Sequence, residues 1–287
     1  MNKFYEALSE VIAEFCVENE EKGRWVTIKG THVFIKDGET YEDAIEKLEA
    51  KKKTPQQKKT ETRETKTYKE LSENSEAFKQ MAEHTKNLSE AETDALKVYV
   101  WERDTYLGIN GLLRGDTTAY EEKTKQKITP EIQAKLEEHI KEIDKAMENS
   151  IIPEDIILYR GGIDASIGKI FKDEKLQEKL QEILSKNKYI SRSSIEEVKE
   201  IMGGRYFEDN GFMSTSYEKN GSHKGKIRLK LHTPKNTKGI LLDTGDVGYS
   251  REKEVLLNRG YKWLVQDVKD GLINGEEVYI IDCYLDE

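Results

Sequence analysis

The order of segments predicts an α+β fold. Helical patterns dominate residues 72–148, and β-rich runs separated by turns dominate the chain from residue 155 onward. Two local patterns support this division. Lys226-Ile227-Arg228-Leu229-Lys230-Leu231 alternates with period two, as a strand with one buried face does. Ser89-Glu90-Ala91-Glu92 and Thr129-Pro130 are helix starts, the first a capping box and the second a cap residue followed by proline in the first turn.

Residues 3–17 read as a short amphipathic helix. Trp25 to Ile28 and His32 to Ile35 are β-rich runs around Lys29-Gly30 and predict a hairpin. Tyr41, Ala44, Ile45 and Leu48 follow at helical spacing. From Lys51 to Glu70 there is no aliphatic residue, which predicts a flexible polar linker; Pro55 argues against a continued solvated helix. Three parts result: a small module at 1–50, a linker at 51–71 and a larger domain at 72–287.

Within the larger domain, Ala95, Leu96, Tyr99 and Val100 share a helical face, and Asp104 to Arg114 forms a second helix ending at Gly115. Ile132, Leu136, Ile140, Ile143 and Met147 mark a third. Ile156 to Arg160 is a strand ending at Gly161-Gly162. A helical insert follows, with Leu176, Leu180, Ile183 and Leu184 on one face. Ser194-Ile195-Glu196-Glu197 reads as a second capping box, for a helix that stops at Gly203-Gly204. Strands are then expected at 211–216, 226–231, 239–242, 254–257, 261–268 and 277–285. In the second of these, Ile227, Leu229 and Leu231 face a core and Arg228 and Lys230 face away.

Charged and hydrophobic residues each make up 36% of the 287, and the net charge is −9. That balance argues against a nucleic-acid partner, which needs a basic footprint. No run of roughly 18 apolar residues is present for a membrane span, and Met1 to Glu6 lacks a secretory pattern. The expected location is therefore a host cytoplasm or a phage particle, or outside the cell by a non-classical route. The two cysteines, Cys16 and Cys283, form no disulfide framework, and the five histidines show no metal-ligand spacing, so no metal is expected. No glycine loop of the P-loop or dinucleotide-fold kind appears.

Chemistry is suggested instead by Glu252 and Glu254. Placed one residue apart at the mouth of a strand, they would project to the same side. Like charges held that close cost free energy unless a cation or a reaction uses them.

Arg160 at a strand end, Ser214-Thr215-Ser216 in a later strand and Glu252-Lys253-Glu254 in a third stand in that order. Together they resemble the Arg, Ser-Thr-Ser, Glu-x-Glu signature of the mono-ADP-ribosyltransferases, and most of all the toxin branch that includes the actin-modifying binary toxins. Tyr106 to Arg114, the Phe212-Met213 that precedes Ser214, Thr233 to Gly239 and Glu254 to Gly260 extend the resemblance over residues 72–287. Two positions depart from it. Some relatives carry a second arginine where Gly161 stands and an asparagine where Gly211 stands, and both help to hold NAD there.

The resemblance implies a helical N-terminal half packed on a split mixed β-sandwich, NAD as co-substrate without a metal, and glycosyl transfer that releases nicotinamide. It implies Glu254 as the group that stabilises the positively charged ribose, Ser214 as its support and Arg160 as a fork for the NAD phosphates or ribose. Arg228, Tyr106, Asn110, Arg114, Phe212, Thr215 and Ser216 are the further residues expected at the cofactor. Relatives that modify asparagine carry glutamine at the position of Glu252. The Glu-x-Glu form therefore implies a target protein with an arginine acceptor, read by a loop at Asp243 to Arg251 that includes Tyr249 and Arg251.

Residues 23–35 are similar to short segments of phage head-morphogenesis proteins, which implies phage head proteins as partners. Binary-toxin enzymatic components usually carry a degenerate second copy of the domain in front. Fewer than about 90 residues precede it here, which weakens the reading of a secreted toxin of that kind. Two other readings stay open: an NAD glycohydrolase with water as acceptor, and a phage structural protein carrying a relic domain.

Overall fold

Two compact units make up the chain, Met1–Thr65 and Lys66–Glu287. A computed structural model describes residues 23–28, 31–36, 38, 40, 43, 45 and 66–286, apart from 165–166, 187–188, 222–223, 245–246 and 249–251. In the first unit β1 (Gly23–Ile28) and β2 (Thr31–Lys36) pair antiparallel from Ile28↔Thr31 to Gly23↔Lys36. This is the hairpin that the Lys29-Gly30 turn predicts. The helix expected at 3–17 lies outside the described residues.

The second unit begins earlier than the composition suggests. β3 (Lys69–Glu70) runs parallel to Ile156–Ile157, and Leu71 is buried. The linker assignment therefore fails over 66–71. An edge strand with both side chains exposed needs no aliphatic residue, so composition did not reveal it.

Helices α1 (Glu76–Lys86), α2 (Glu90–Trp101), α3 (Arg103–Arg114), α4 (Thr118–Thr124) and α5 (Pro130–Glu148) follow. Ser89 and Glu92 close the predicted capping box on α2, and Thr129 caps α5 through the Ile132 amide. Gly115 ends α3 at φ +71°, a left-handed conformation that glycine adopts without a Cβ penalty. Next come β4 (Ile156–Arg160), α6 (Ile167–Phe171), α7 (Glu174–Lys186) and α8 (Arg192–Met202). The box on α8 lies one turn before the predicted one. Ser191 is the cap, and Ser194, itself buried, is the residue that reaches back.

The remaining strands are β5 (Tyr206–Asp209), β6 (Met213–Ser216), β7 (Ile227–Thr233), β8 (Gly239–Leu241), β9 (Glu254–Leu257), β10 (Tyr261–Ile273) and β11 (Glu276–Leu285). Their order is β5-β10-β11-β7-β4-β6-β9-β8, with β3 beside β4. β11 with β7 and β3 with β4 are parallel, and the other pairs are antiparallel, so the sheet is mixed. β4 and β6 share a single pair, Tyr159↔Ser216. At that narrow junction the sheet divides into two halves that enclose one core. Leu158, Leu229 and Ile281 from one half pack in the same cluster as Met213, Leu241, Val255 and Leu257 from the other.

The alternate residues Phe212, Ile240, Leu242 and Leu256 turn to the opposite face and pack under α2, α3 and α5. The expected α+β architecture, with helices against a split mixed sandwich, is what the chain forms. Arg228 departs from its predicted place. It is 2% exposed, because β7 lies centrally between β11 and β4, and its Nη1 donates to the carbonyls of Gly225 and Ile227 at 3.0 and 3.1 Å.

Candidate active site

β6 and β9 bring the serine motif to the second glutamate. Their register pairs Ser214 with Leu256 and Ser216 with Glu254. Alternation along both strands therefore sets Ser214, Ser216 and Glu254 on one face, with Ser214 diagonal to Glu254. Glu254 is 7% exposed, and its carboxyl is raised to about 7. Burial is the main cause; the Ser214 hydrogen bond opposes it, and the charge of Glu252 adds to it.

The two glutamates are not related by simple strand alternation. Lys253 has φ +51°, and β9 begins only at Glu254. The period-two argument for a common side thus stops at the turn and does not reach Glu252. What survives is electrostatic: Glu252 lies close enough for its charge to raise the Glu254 carboxyl.

A second centre forms around Asp209, at the end of β5. Arg114, the last residue of α3, donates from Nε to Asp209 Oδ1 at 2.7 Å and from Nη2 to Oδ2 at 2.9 Å. Arg160, the last residue of β4, brings Nη1 to 3.5 Å from Oδ2. The Gly211 amide donates to Oδ1 at 3.0 Å. Two guanidinium groups thus share one buried carboxylate and leave the cluster with a net positive charge. A Cβ at Gly211 would stand 2.5 Å from Asn110 Oδ1 and 2.8 Å from Arg114 Nε. The absence of a side chain is what lets Asn110 and Arg114 approach this backbone.

Tyr99 joins the two centres. Asn110 Nδ2 donates to its hydroxyl at 2.9 Å, the hydroxyl lies 3.4 Å from the Phe212 carbonyl, and Tyr99 also hydrogen-bonds with Ser214. A polar chain therefore runs from Asn110 through Tyr99 and Ser214 to Glu254. Tyr106 packs edge-on against Tyr99 with ring centroids 5.2 Å apart.

The structure brings Arg114, Arg160, Asn110, Ser214 and Glu254 together around these two centres, with Tyr106 beside them. Phe212 is fully buried in the core under the helices. Thr215 donates to the Val255 carbonyl at 2.5 Å from the opposite face of β6, and Ser216 Oγ accepts the Glu218 amide at 3.2 Å. Those three stiffen the motif from within. Arg228 bonds at the start of β7 to its own backbone. Tyr249 and Arg251 lie outside the described residues.

Asp209 and Tyr99 were missed from sequence. Sequence places Tyr99 only on a helical face with Ala95, Leu96 and Val100; a buried tyrosine hydroxyl needs a partner, and that requirement is the available signal. Among the described residues no three His, Cys, Asp or Glu side chains are grouped for a metal, and no helix is long and apolar enough to cross a membrane.

A mixed split sandwich carrying a buried carboxylate beside a paired-arginine centre has the groups that a glycosyl-transferring enzyme with an anionic donor would need. The chain belongs to the ADP-ribosyltransferase exoenzyme family, whose sequence pattern matches residues 65–286. It is 27% identical over 198 residues to the mono-ADP-ribosyltransferase C3 of Hathewaya limosa, covering 67% of this chain and 68% of that one. Its fold is similar to that of C3stau2 from S. aureus, solved with NAD, at a TM-score of 0.58 and 23% identity, over 77% of this chain and 100% of the other. It is also similar to BECa, an ADP-ribosylating toxin of a C. perfringens binary enterotoxin solved with NADH. There the TM-score is 0.54 and the identity 21%, over 92% of this chain and 55% of the other.

Proposed function

We propose that this mono-ADP-ribosyltransferase takes ADP-ribose from NAD and delivers it to an arginine side chain of a target protein. The observation that carries the reading is Glu252 set one turn residue ahead of the buried Glu254. Asparagine-modifying relatives have glutamine at the first position; a carboxylate there suits a guanidinium.

The residues fit NAD as substrate. Among the described residues Arg160 Nη1 and Asn110 Oδ1 are buried without a hydrogen-bond partner. Arg160 Nη1, a donor at the net positive centre of Asp209, suits a diphosphate, and Asn110 Oδ1, an acceptor beside it, suits a hydroxyl or amide group of the dinucleotide. Glu254, when ionised, stabilises the positive charge that grows on the ribose as the bond to nicotinamide breaks and nicotinamide leaves as a neutral molecule. Ser214 holds that carboxylate in place. An arginine acceptor is protonated at neutral pH and is a poor nucleophile. Glu252 orients the guanidinium and takes the proton it loses as its nitrogen bonds to the ribose carbon.

The hairpin at 23–36 lies outside the matched residues, and its likeness to phage head-morphogenesis segments supports a partner of that kind.

Labelled NAD, incubated with the protein and with bacterial or animal-cell lysates, tests the acceptor. The expected result is a labelled protein band removed by neutral hydroxylamine, which cleaves arginine-linked ADP-ribose, and lost with Glu252→Gln. A band that resists hydroxylamine places the acceptor elsewhere than arginine. Nicotinamide release with no band favours water as the acceptor.

A further inference from the structure

The left-handed turn between the two glutamates is fastened from outside the site. Lys253 at φ +51° adopts a left-handed conformation that is unfavourable for a non-glycine residue. Its carbonyl accepts the Tyr217 amide at 2.9 Å. Its ammonium lies 2.5 Å from Glu73 Oε1 and 3.4 Å from Asp243 Oδ2, and 5.9 Å from the centre of the Tyr217 ring. The Tyr217 hydroxyl donates to Asp243 Oδ2 at 2.5 Å and lies 3.2 Å from Glu73 Oε1. Glu73 comes from the segment ahead of α1, Tyr217 from the end of β6 and Asp243 from the chain leaving β8.

Asp243 and Lys253 stand at the two ends of the segment that joins β8 to β9. Their ion pair, with the Leu242 amide on the Glu254 carbonyl at 2.9 Å, closes the base of that segment. The Lys253 side chain is 24% exposed and that of Asp243 only 5%, so solvent screens this pair less than an open surface pair. Glu254 is held separately, by its register with Ser216 and by Ser214.

We propose that Lys253 is a positioning residue for Glu252: anchored by Glu73, Asp243 and Tyr217, it fixes the turn that aims Glu252 at the acceptor, and so favours transfer over loss of ADP-ribose to water. The inference rests on the reading of Glu252 given above. It separates two effects that a misfolded site would not. Loosening the clamp moves Glu252 while leaving the group that supports nicotinamide departure in place.

The test uses the full chain, with nicotinamide release from NAD and ADP-ribose transfer to agmatine, a small guanidino compound, measured side by side. Lys253→Met keeps the apolar stem and the backbone demand but removes the charge. Its transfer to agmatine is expected to fall at least about tenfold relative to nicotinamide release, since small misplacements of a reacting group carry costs of this order. Glu73→Gln, on a half-exposed side chain, acts in the same direction without touching the turn, and Lys253→Arg restores part of the transfer. Equal loss of both reactions, or no loss of either, overturns the proposal.

If the unaltered protein releases nicotinamide but transfers nothing to agmatine, agmatine does not replace the target protein, and the arginine reading is judged separately by the hydroxylamine-sensitive band. The clamp is then judged by hydrogen exchange at the Tyr217 amide, which bonds to the Lys253 carbonyl. Faster exchange in Lys253→Met supports the anchor, and equal exchange overturns it.

Discussion

Arg114 grips Asp209 with two parallel bonds, Nε to Oδ1 at 2.7 Å and Nη2 to Oδ2 at 2.9 Å, across 95 residues of sequence. A bidentate pair of this kind fixes the plane of the guanidinium as well as its position. Because Arg160 approaches the same carboxylate at 3.5 Å, one acidic residue orients two cations.

Asp209→Asn is therefore expected to weaken NAD binding more than the chemical step. A hydrogen bond to a charged group contributes about 1.5–3 kcal/mol. The Arg114 side chain is 34% exposed, so solvent screening favours the low end. We expect KM for NAD to rise about tenfold with kcat little changed, read from nicotinamide release over a range of NAD concentrations.

The activity of the free enzyme should follow the ionisation of Glu254. With its carboxyl raised to about 7, kcat/KM for nicotinamide release falls as the pH drops below that value. Glu252→Gln removes the like charge that raises the carboxyl and moves this limb to lower pH. Ser214→Ala removes the bond that lowers it and moves the limb to higher pH. Shifts of opposite sign in the two profiles are the expected outcome. If arginine is the acceptor as proposed, Glu252→Gln is also expected to lose transfer to a much greater degree than cleavage.

Stability carries the same signature. The Glu254 carboxyl takes up its proton more readily in the folded chain, about 7 against 4.5. Between these values the folded state binds more protons, so this contribution is complete below pH 4.5 and is lost as the pH rises through 7. Glu254→Gln has no charge to desolvate. It should be more stable than the unaltered protein at pH 8, by an amount on the order of 3 kcal/mol. Thermal denaturation should show the gap closing as the pH approaches 4.5.

Gly211 stands where some relatives have an NAD-holding asparagine, but the two are not interchangeable here. Gly211→Ala places a methyl 2.5 Å from Asn110 Oδ1 and 2.8 Å from Arg114 Nε. Both side chains must give way, and KM for NAD is expected to rise several-fold in a chain that still unfolds cooperatively.

Much of this site was readable in the sequence because its signals are local. Ser89 and Thr129 declare helix starts through residues three positions away. Ser214 and Glu254 sit in short, largely buried strands whose alternation fixes the face they occupy. The rest depends on pairings that no local pattern encodes. Asp209 closes β5, a four-residue strand among glycines that was not predicted, and its partners come from α3 and β4.

β10 continues through Asp270 and Gly271, past its expected end at 268. It pairs with β11 down to a turn at Asn274 and Gly275, both with positive φ. Arg228 looked outward on alternation alone, yet a central strand buries both of its faces. Lys253 gave no sign of a left-handed turn, because lysine has no preference for one. Its conformation is held by Tyr217, Glu73 and Asp243, all distant in sequence.

Nicotinamide release from NAD at pH 8, compared between the unaltered protein and Glu254→Gln, tests the central claim most directly. At that pH the Glu254 carboxylate is largely ionised. Replacing it by a neutral amide of the same shape should lower kcat about a hundredfold or more, with folding intact by circular dichroism. A Glu254→Gln protein that releases nicotinamide within a few-fold of the unaltered rate would contradict the account, because the ribose charge would then be stabilised by some other group.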